Sequence, residues 1–455
     1  MPRKSSLTSY PSGSLGEIFT LALPMMLTAL SNNLMLFLDR IILGHYSLEA
    51  MNSAAAAGSA TLPFVFGGYA ITAIAEVFVG QRNGARKYSL VAQPVWQMLW
   101  FSLMLMLFFI PMGLFMGPFI LVDSFLKEGL PYYQWLMCFG FLTGFHTALS
   151  SFFIGRGHVK LIAFVAIFGN ILNLLLDLLL VFGIPHILDP MGTAGAAIGT
   201  VIAEGIQVFI LFVVFLNKEN RHVFKTHVWR FKPKLFKDCL RIGTPNALSH
   251  LITMSAWYVI FAITGLTSPE HVTVFQIGQT IFVLFTFLAD GIQKGIIALA
   301  SNAIGGGFLN KVPEILKSSI KLHVVLVSLL AIPFLVFPEV FIKLFLSDQN
   351  LSVPLDVILY QGTQALIWVW LFLFCDDLVW MIAGILTAGE DTKFVMIMNG
   401  VSTWFFGVVP IYLFIFKWHY EPSTVWPLMF GYGIINCIFF FWRYSKGKWK
   451  NVVVS

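Results

Sequence analysis

The sequence predicts an all-α polytopic membrane protein with twelve transmembrane helices in two pseudo-symmetric six-helix bundles. Three observations lead there: apolar runs of bilayer length recur along the chain, Lys and Arg gather in alternate connections, and the second half repeats the first at a constant offset. Of the 455 residues, 58% are hydrophobic and only 11% charged. The mean hydropathy of +0.83 lies far above that of water-soluble domains.

A bilayer core takes about 20 apolar residues per helix. Runs that meet this predict spans at 15–43, 54–80, 93–119, 130–155, 161–184 and 192–217, then at 237–265, 272–302, 319–346, 358–387, 394–417 and 424–442. The chain therefore divides into an N-tail (1–14), a first bundle (15–217), a linker loop (218–236), a second bundle (237–442) and a basic C-tail (443–455). The first span is too long for the apolar core of a signal peptide and is expected to be retained.

Counting Lys and Arg gives 23 on the side of the two tails and the linker, and 3 (Lys127, Lys343, Lys417) on the other. By the positive-inside rule, both termini and the linker are expected in the cytoplasm and the chain in the plasma (inner) membrane. The net charge of +6 resides in these loops, so the expected partner is the lipid bilayer and not nucleic acid. Cys138, Cys239, Cys375 and Cys437 lack metal-ligand spacing, and neither a structural metal nor a cofactor is expected.

Shifting by 221 residues places Pro24 on Pro245, Leu27 on Leu248, Leu30 on Leu251, Gly44 on Gly265, Gly84 on Gly305 and Val91 on Val312. Further along, GRGHVK (155–160) parallels TAGEDTK (387–393), each between the fourth and fifth helix of its half. Repeated bundles of this kind are characteristic of transporters, which bind substrate between the repeats and rock them to alternate access.

Candidate functional residues start with the span at Leu161–Ile184, which carries Asn170, Asn173 and Asp177. At about 100° per residue these three fall within an arc of roughly 60°. A carboxylate at mid-membrane costs on the order of 2.5–3.5 kcal/mol, so Asp177 needs a proton, a metal cation or a basic partner. No Lys or Arg follows Lys160 in that span, which leaves protons or sodium. The Asn amides add hard oxygen ligands on the same face, and Thr200 on the sixth span offers another, with Thr193 and Glu204 as alternatives.

Asp39 on the first span is followed by Arg40, and the plain reading is a pair at the interface. Successive residues, however, point about 100° apart and pair poorly on one face. Pro24 lacks an N–H and leaves the Thr20 carbonyl without its helical donor, making it a hinge or a static kink. At the repeat offset Asp39 falls on Ile260, so pseudo-symmetry does not demand the acid. In the second half Asp290 and Lys294, four apart, are expected to neutralise each other. Asp377 is either a substrate contact or a second coupling site, and Glu76 either lines a cavity or sits at the interface.

Together, ALP…LDRIILGH, GQRNGA, GRGHVK, GNILNLLLDLLLVFG, MGTAGAAIGTV and LTAGEDTK resemble the multidrug and toxic compound extrusion (MATE) family over the whole chain. The resemblance implies a secondary antiporter, not an enzyme, that exports cationic, amphiphilic organic compounds in exchange for Na+ or H+ and acts as a monomer. In one branch of the family the coupling site is an Asp in helix one, an Asn and an Asp in helix five and a Thr in helix six. Motif by motif these match Asp39, Asn173, Asp177 and Thr200, and the family's helix-one proline matches Pro24. Another branch uses acids in helices seven and ten; Thr253 stands at the first position here and Asp377 at the second. Two features depart from the pattern: Arg40 beside Asp39, and a longer loop at 184–190. The alternative within transport is a lipid-linked precursor flippase of the same superfamily, which requires a cationic cavity. An enzyme would need a motif such as HExxH or GxSxG, and neither occurs.

Overall fold

The computed structural model describes residues 6–343 and 354–452, among which twelve helices are long and apolar enough to cross a membrane. They are α1 (Leu15–Tyr46), α2 (Leu48–Gly84), α3 (Tyr88–Ile120), α4 (Asp123–Ile154), α5 (Val159–Phe182), α6 (Gly192–Phe215), α7 (Pro233–Thr267), α8 (Pro269–Gly306), α9 (Lys311–Val336), α10 (Leu355–Ala388), α11 (Thr392–Lys417) and α12 (Pro422–Ser445). Arg3, Lys4 and the last residues of the expected ninth span lie outside the described residues.

Several helices begin earlier than the apolar runs. α2 starts at Leu48 and not 54, α7 at Pro233 and not 237, and α9 at Lys311 and not 319. Apolarity marks the bilayer core, whereas helix ends follow capping and proline. The Ser47 hydroxyl accepts from the Ala50 N–H at 2.9 Å, and Pro233 occupies the first turn of α7, where its missing donor costs nothing.

The linker is likewise more ordered than the loop expected at 218–236. A short helix, Lys218–Phe224, opens where the Asn217 side chain accepts from the Asn220 N–H at 2.7 Å. The chain beyond it is tied to α3: the Trp96 indole donates to the Thr226 carbonyl at 2.8 Å and the Trp100 indole to that of Trp229 at 3.1 Å. Arg156, in the turn between α4 and α5, stacks its guanidinium 3.8 Å from the Phe224 ring centre. Burial pulls this guanidinium down to about 10, so it remains charged at neutral pH.

Packing gives the two halves a V-shaped relation. At the end carrying both termini, one continuous core draws buried residues from all twelve helices, among them Leu21, Val79, Phe152, Ile242, Ile292, Leu316, Ile382 and Phe440. At the opposite end the cores separate by half. Ala256, Phe275, Phe372 and Trp426 belong to a cluster built from the second half alone. Ile42, Leu43 and Val181, and Phe109, Tyr133 and Met137, belong to clusters of the first half alone. Two six-helix bundles thus share one base and part above it, leaving a cleft.

The joint at the base is two-fold symmetric. A Cβ added to Gly84 of α2 would overlap the Asn302 carbonyl oxygen of α8, and one added to Gly305 of α8 would overlap that of Gln81 of α2. The 221-residue offset exchanges these pairs, taking Gly84 to Gly305 and Gln81 to Asn302. The Asn302 amide donates to the Gly155 carbonyl at the end of α4 at 2.7 Å, and the Gln81 amide donates to Ala388 at the end of α10 at 3.0 Å. Each half therefore supplies a side-chain donor for an orphan helix-end carbonyl of the other half. α3 and α9 repeat a further detail, a π-helical turn at Met112–Met116 and at Ile332–Val336, beside Pro111 and at Pro333.

Candidate functional site

α1 runs unbroken through Pro24 and brings Asp39, 7% exposed, into the parted half of the first bundle. α5 brings Asn173 and Asp177, 1% and 0% exposed, from the face predicted by helical periodicity. Thr200 arrives from α6, whose run of Gly and Ala lets it pack closely.

The Asn173 amide nitrogen lies 3.2 Å from both Asp177 Oδ1 and Thr200 Oγ1, and the Thr200 hydroxyl donates to the Ala196 carbonyl at 3.0 Å. The carboxyl groups of Asp39 and Asp177 lie within electrostatic reach of one another. Asp39 Oδ1, Asn173 Oδ1 and Asp177 Oδ2 are buried without a partner. Each such atom costs about 1–3 kcal/mol. A hard monovalent cation or a proton would relieve that cost, since every group offered is an oxygen.

The four residues Asp39, Asn173, Asp177 and Thr200 are therefore brought together. Asn170 sits nearby, donating to Ser31 Oγ at 2.8 Å and Asn32 Oδ1 at 2.9 Å, and so ties α5 to α1. Arg40 is exposed while Asp39 is buried, the divergence that their one-residue spacing implies. The alternatives lie elsewhere: the Thr193 hydroxyl donates to the Glu128 carbonyl at 2.5 Å, and Glu204 faces Thr143 of α4.

Three residues were not singled out from the sequence. A Cβ at Gly199 would overlap Asp177 Oδ1, so this glycine makes the seat for the carboxylate. Tyr132 of α4 packs beside Ile42 and Val181, within electrostatic reach of both acids. His323 of α9 places Nδ1 3.3 Å from Asp377 Oδ2, deep inside the second bundle. Only the glycine had a signal, its place directly before Thr200. Gly199→Ala is expected to lower stability by about 1–3 kcal/mol through overpacking. Thermal unfolding in detergent measures this, with Gly205→Ala, which meets nothing within 4 Å, as the control expected to melt unchanged.

Asp377 and Glu76 stand apart from this cluster. Glu76 is buried in α2 with Oε1 unpartnered, near Lys294. Lys294 and Asp290 form the expected pair, at 2.9 Å.

The MatE family model matches residues 24–179 and 245–413, and its two segments begin on Pro24 and Pro245, the pair related by the internal repeat. A probable multidrug resistance protein NorM of Neisseria meningitidis serogroup B is 21% identical over 443 residues, covering 93% of this chain and 92% of that protein. The uncharacterized transporter YisQ of Bacillus subtilis is 21% identical over 463 residues, covering 98% and 97%. Among solved structures, a MATE protein in complex with MaL6 superposes with a TM-score of 0.87 at 18% identity, covering 99% of this chain and 100% of that one. An outward-facing multidrug resistance MATE family transporter gives a TM-score of 0.85 at 18% identity, covering 99% of each. At these identities the superpositions establish the fold, and the family match extends over most of the sequence. The chain belongs to the MatE family of multidrug and toxic compound extrusion transporters: it is an integral membrane protein that moves small organic compounds, and not an enzyme.

Proposed function

We propose that the protein is a secondary antiporter that exports cation-bearing, amphiphilic organic compounds in exchange for Na+ or H+, acting as a monomer in the plasma (inner) membrane with both termini in the cytoplasm. In this reading the cleft opens outward and the shared base closes the cytoplasmic side. The coupling ion binds at Asp39, Asn173, Asp177 and Thr200. Two carboxylates in one dry site do not both stay charged cheaply, so the empty site is costly and readily takes up a proton or a metal cation. Ion loading reshapes α1 about Pro24 and narrows the cleft, releasing the compound; ion loss to the cytoplasm reverses the change. The observation that carries this reading is the buried, partnerless oxygen on each of Asp39, Asn173 and Asp177.

The flippase alternative needs a cationic cavity, whereas Lys294 is neutralised by Asp290 at 2.9 Å. The test is export of ethidium from proteoliposomes under an imposed Na+ gradient or an imposed pH gradient. One gradient is expected to drive export without ATP. Export under neither, or only with ATP, contradicts the antiporter.

A further inference from the structure

The linker that joins the two bundles crosses α3 with its main chain tied down and its side chains turned outward. The Trp96 indole donates to the Thr226 carbonyl at 2.8 Å, the Gln97 amide to that of Arg230 at 3.2 Å and the Trp100 indole to that of Trp229 at 3.1 Å. The Lys232 N–H in turn donates to Gln97 Oε1 at 2.8 Å. Trp96, Gln97 and Trp100 lie within about 100° of arc on α3, so a single helix face holds the loop. What remains outside is apolar to an unusual degree for a polar connection: Val228, Trp229 and Phe231 are all exposed, Trp229 by 61%. The Trp229 ring stacks on that of Trp100 with centroids 5.9 Å apart. Trp100, His227, Val228, Trp229, Arg230 and Phe231 together line a shallow cavity of about 350 Å3.

The depth of this cavity follows from α3. From Trp100 to its end at Ile120 the helix rises about 30 Å, the thickness of a hydrocarbon core. Its exposed apolar residues begin one turn beyond Trp100, at Leu103, Met104, Leu107 and Phe108, and continue to Phe119. Trp100 and the linker beside it therefore sit at the depth of lipid headgroups, where an indole meets apolar chains with its ring and polar groups with its N–H.

The charge there has one sign. Between Glu219 and Asp238 the chain holds six Lys and Arg and no acid, and α3 carries no charged residue from Tyr88 to Ile120. Arg230 is exposed, and among the described residues no ion pair engages it. A water-facing loop would not leave Trp229 and Phe231 uncovered beside Trp100, a hydrocarbon-facing one would not carry Arg230, and a protein partner would need the patch clear of the bilayer. An anionic headgroup above apolar chains meets both requirements, since a guanidinium fork matches a phosphate with two parallel hydrogen bonds. We infer that this part of the linker is a binding site for an anionic phospholipid of the leaflet on the side of the two termini. The Arg230 guanidinium takes the phosphate, and Trp100, Trp229 and Phe231 receive the glycerol backbone and the first carbons of the chains.

The test is native mass spectrometry of the purified full chain in detergent, titrated with phosphatidylglycerol or with phosphatidylcholine of the same acyl chains. Phosphatidylglycerol is expected to bind about tenfold more tightly. Arg230→Gln removes that preference, and Arg230→Lys keeps part of it. The Arg230 contact with Gln97 is made by the main chain, so Arg230→Gln is expected to melt as the wild type does. Trp229→Ala weakens both lipids alike and serves as the second variant should Arg230→Gln fail to fold. Lys317→Gln removes an exposed charge from α9, at the same end of the molecule, and keeps the full preference. Equal binding of the two lipids by the wild type, a preference unchanged in Arg230→Gln, or one lost equally in Lys317→Gln overturns the inference. Displacement of phosphatidylglycerol by millimolar inorganic phosphate overturns it in favour of a free-anion site, and a dimer that forms in place of bound lipid and is lost in Trp229→Ala overturns it in favour of a second copy of the chain.

Discussion

Asp177→Asn is expected to uncouple the transporter: gradient-driven export falls on the order of 10- to 100-fold, the range typical of a coupling between two sites. Asn matches Asp in shape but neither takes up a proton near neutral pH nor offers a charge to a cation. The substitution falls at a fully buried position, so water does not replace what is lost. Folding is expected to survive, since a neutral amide is easier to bury than a carboxylate. Downhill exchange of substrate between the two faces of a vesicle therefore persists when accumulation against a gradient does not. Asp39→Asn is expected to act in the same direction. Because the two acids serve one ion, the double variant should export no worse than the more impaired single variant, a marked departure from additivity. Comparing uphill accumulation with downhill exchange in the same vesicles checks both statements.

Gly84→Ala and Gly305→Ala are expected to have matching effects, because the same pseudo-two-fold relation places each against the backbone of the other half. A Cβ at either site overlaps a main-chain carbonyl oxygen, of Asn302 or of Gln81, and a backbone does not rotate out of the way. The helices must separate, at a cost of about 1–3 kcal/mol. Separation also weakens the amide donation to Gly155 and Ala388. That energy is charged to the state with the base closed, so the balance moves roughly 5- to 150-fold towards the state with the base open. Spin-label distances across the base should lengthen in both variants and those across the cleft should shorten. Asn302→Ala, which removes a donor without adding bulk, is expected to shift the balance the same way by less.

The features legible in the sequence were those written in local pattern. Twelve spans follow from apolar run length, and the 221-residue repeat reappears in the Gly84 and Gly305 contacts and, to within one residue, in the paired π-helical turns of α3 and α9. Helix starts were misplaced where polar first turns extend a helix beyond the bilayer core, as at Leu48, Pro233 and Lys311. Within the site, Asn173 and Asp177 were visible because one helix face is fixed by its own periodicity. Thr200 offered a further oxygen on the residues alone, with Thr193 and Glu204 as alternatives, but choosing it and joining Asp39 to the group rested on the resemblance, since no local pattern states which helices touch. For the same reason Tyr132 and His323 passed unnoticed: each matters through a contact with a distant helix. Arg40, adjacent to Asp39 in sequence, turns out to be exposed on a different side of α1.

The most direct test of the account is to ask whether substrate and ion exclude one another at the protein itself. Purified transporter is equilibrated with 22Na+ or, in a lightly buffered solution, with a pH-sensitive dye, and a saturating organic substrate is then added. The account predicts release of Na+ or of protons from the wild type on substrate binding, and none from the Asp39→Asn, Asp177→Asn double variant. Undiminished release from the double variant would place the coupling ion elsewhere and contradict the assignment.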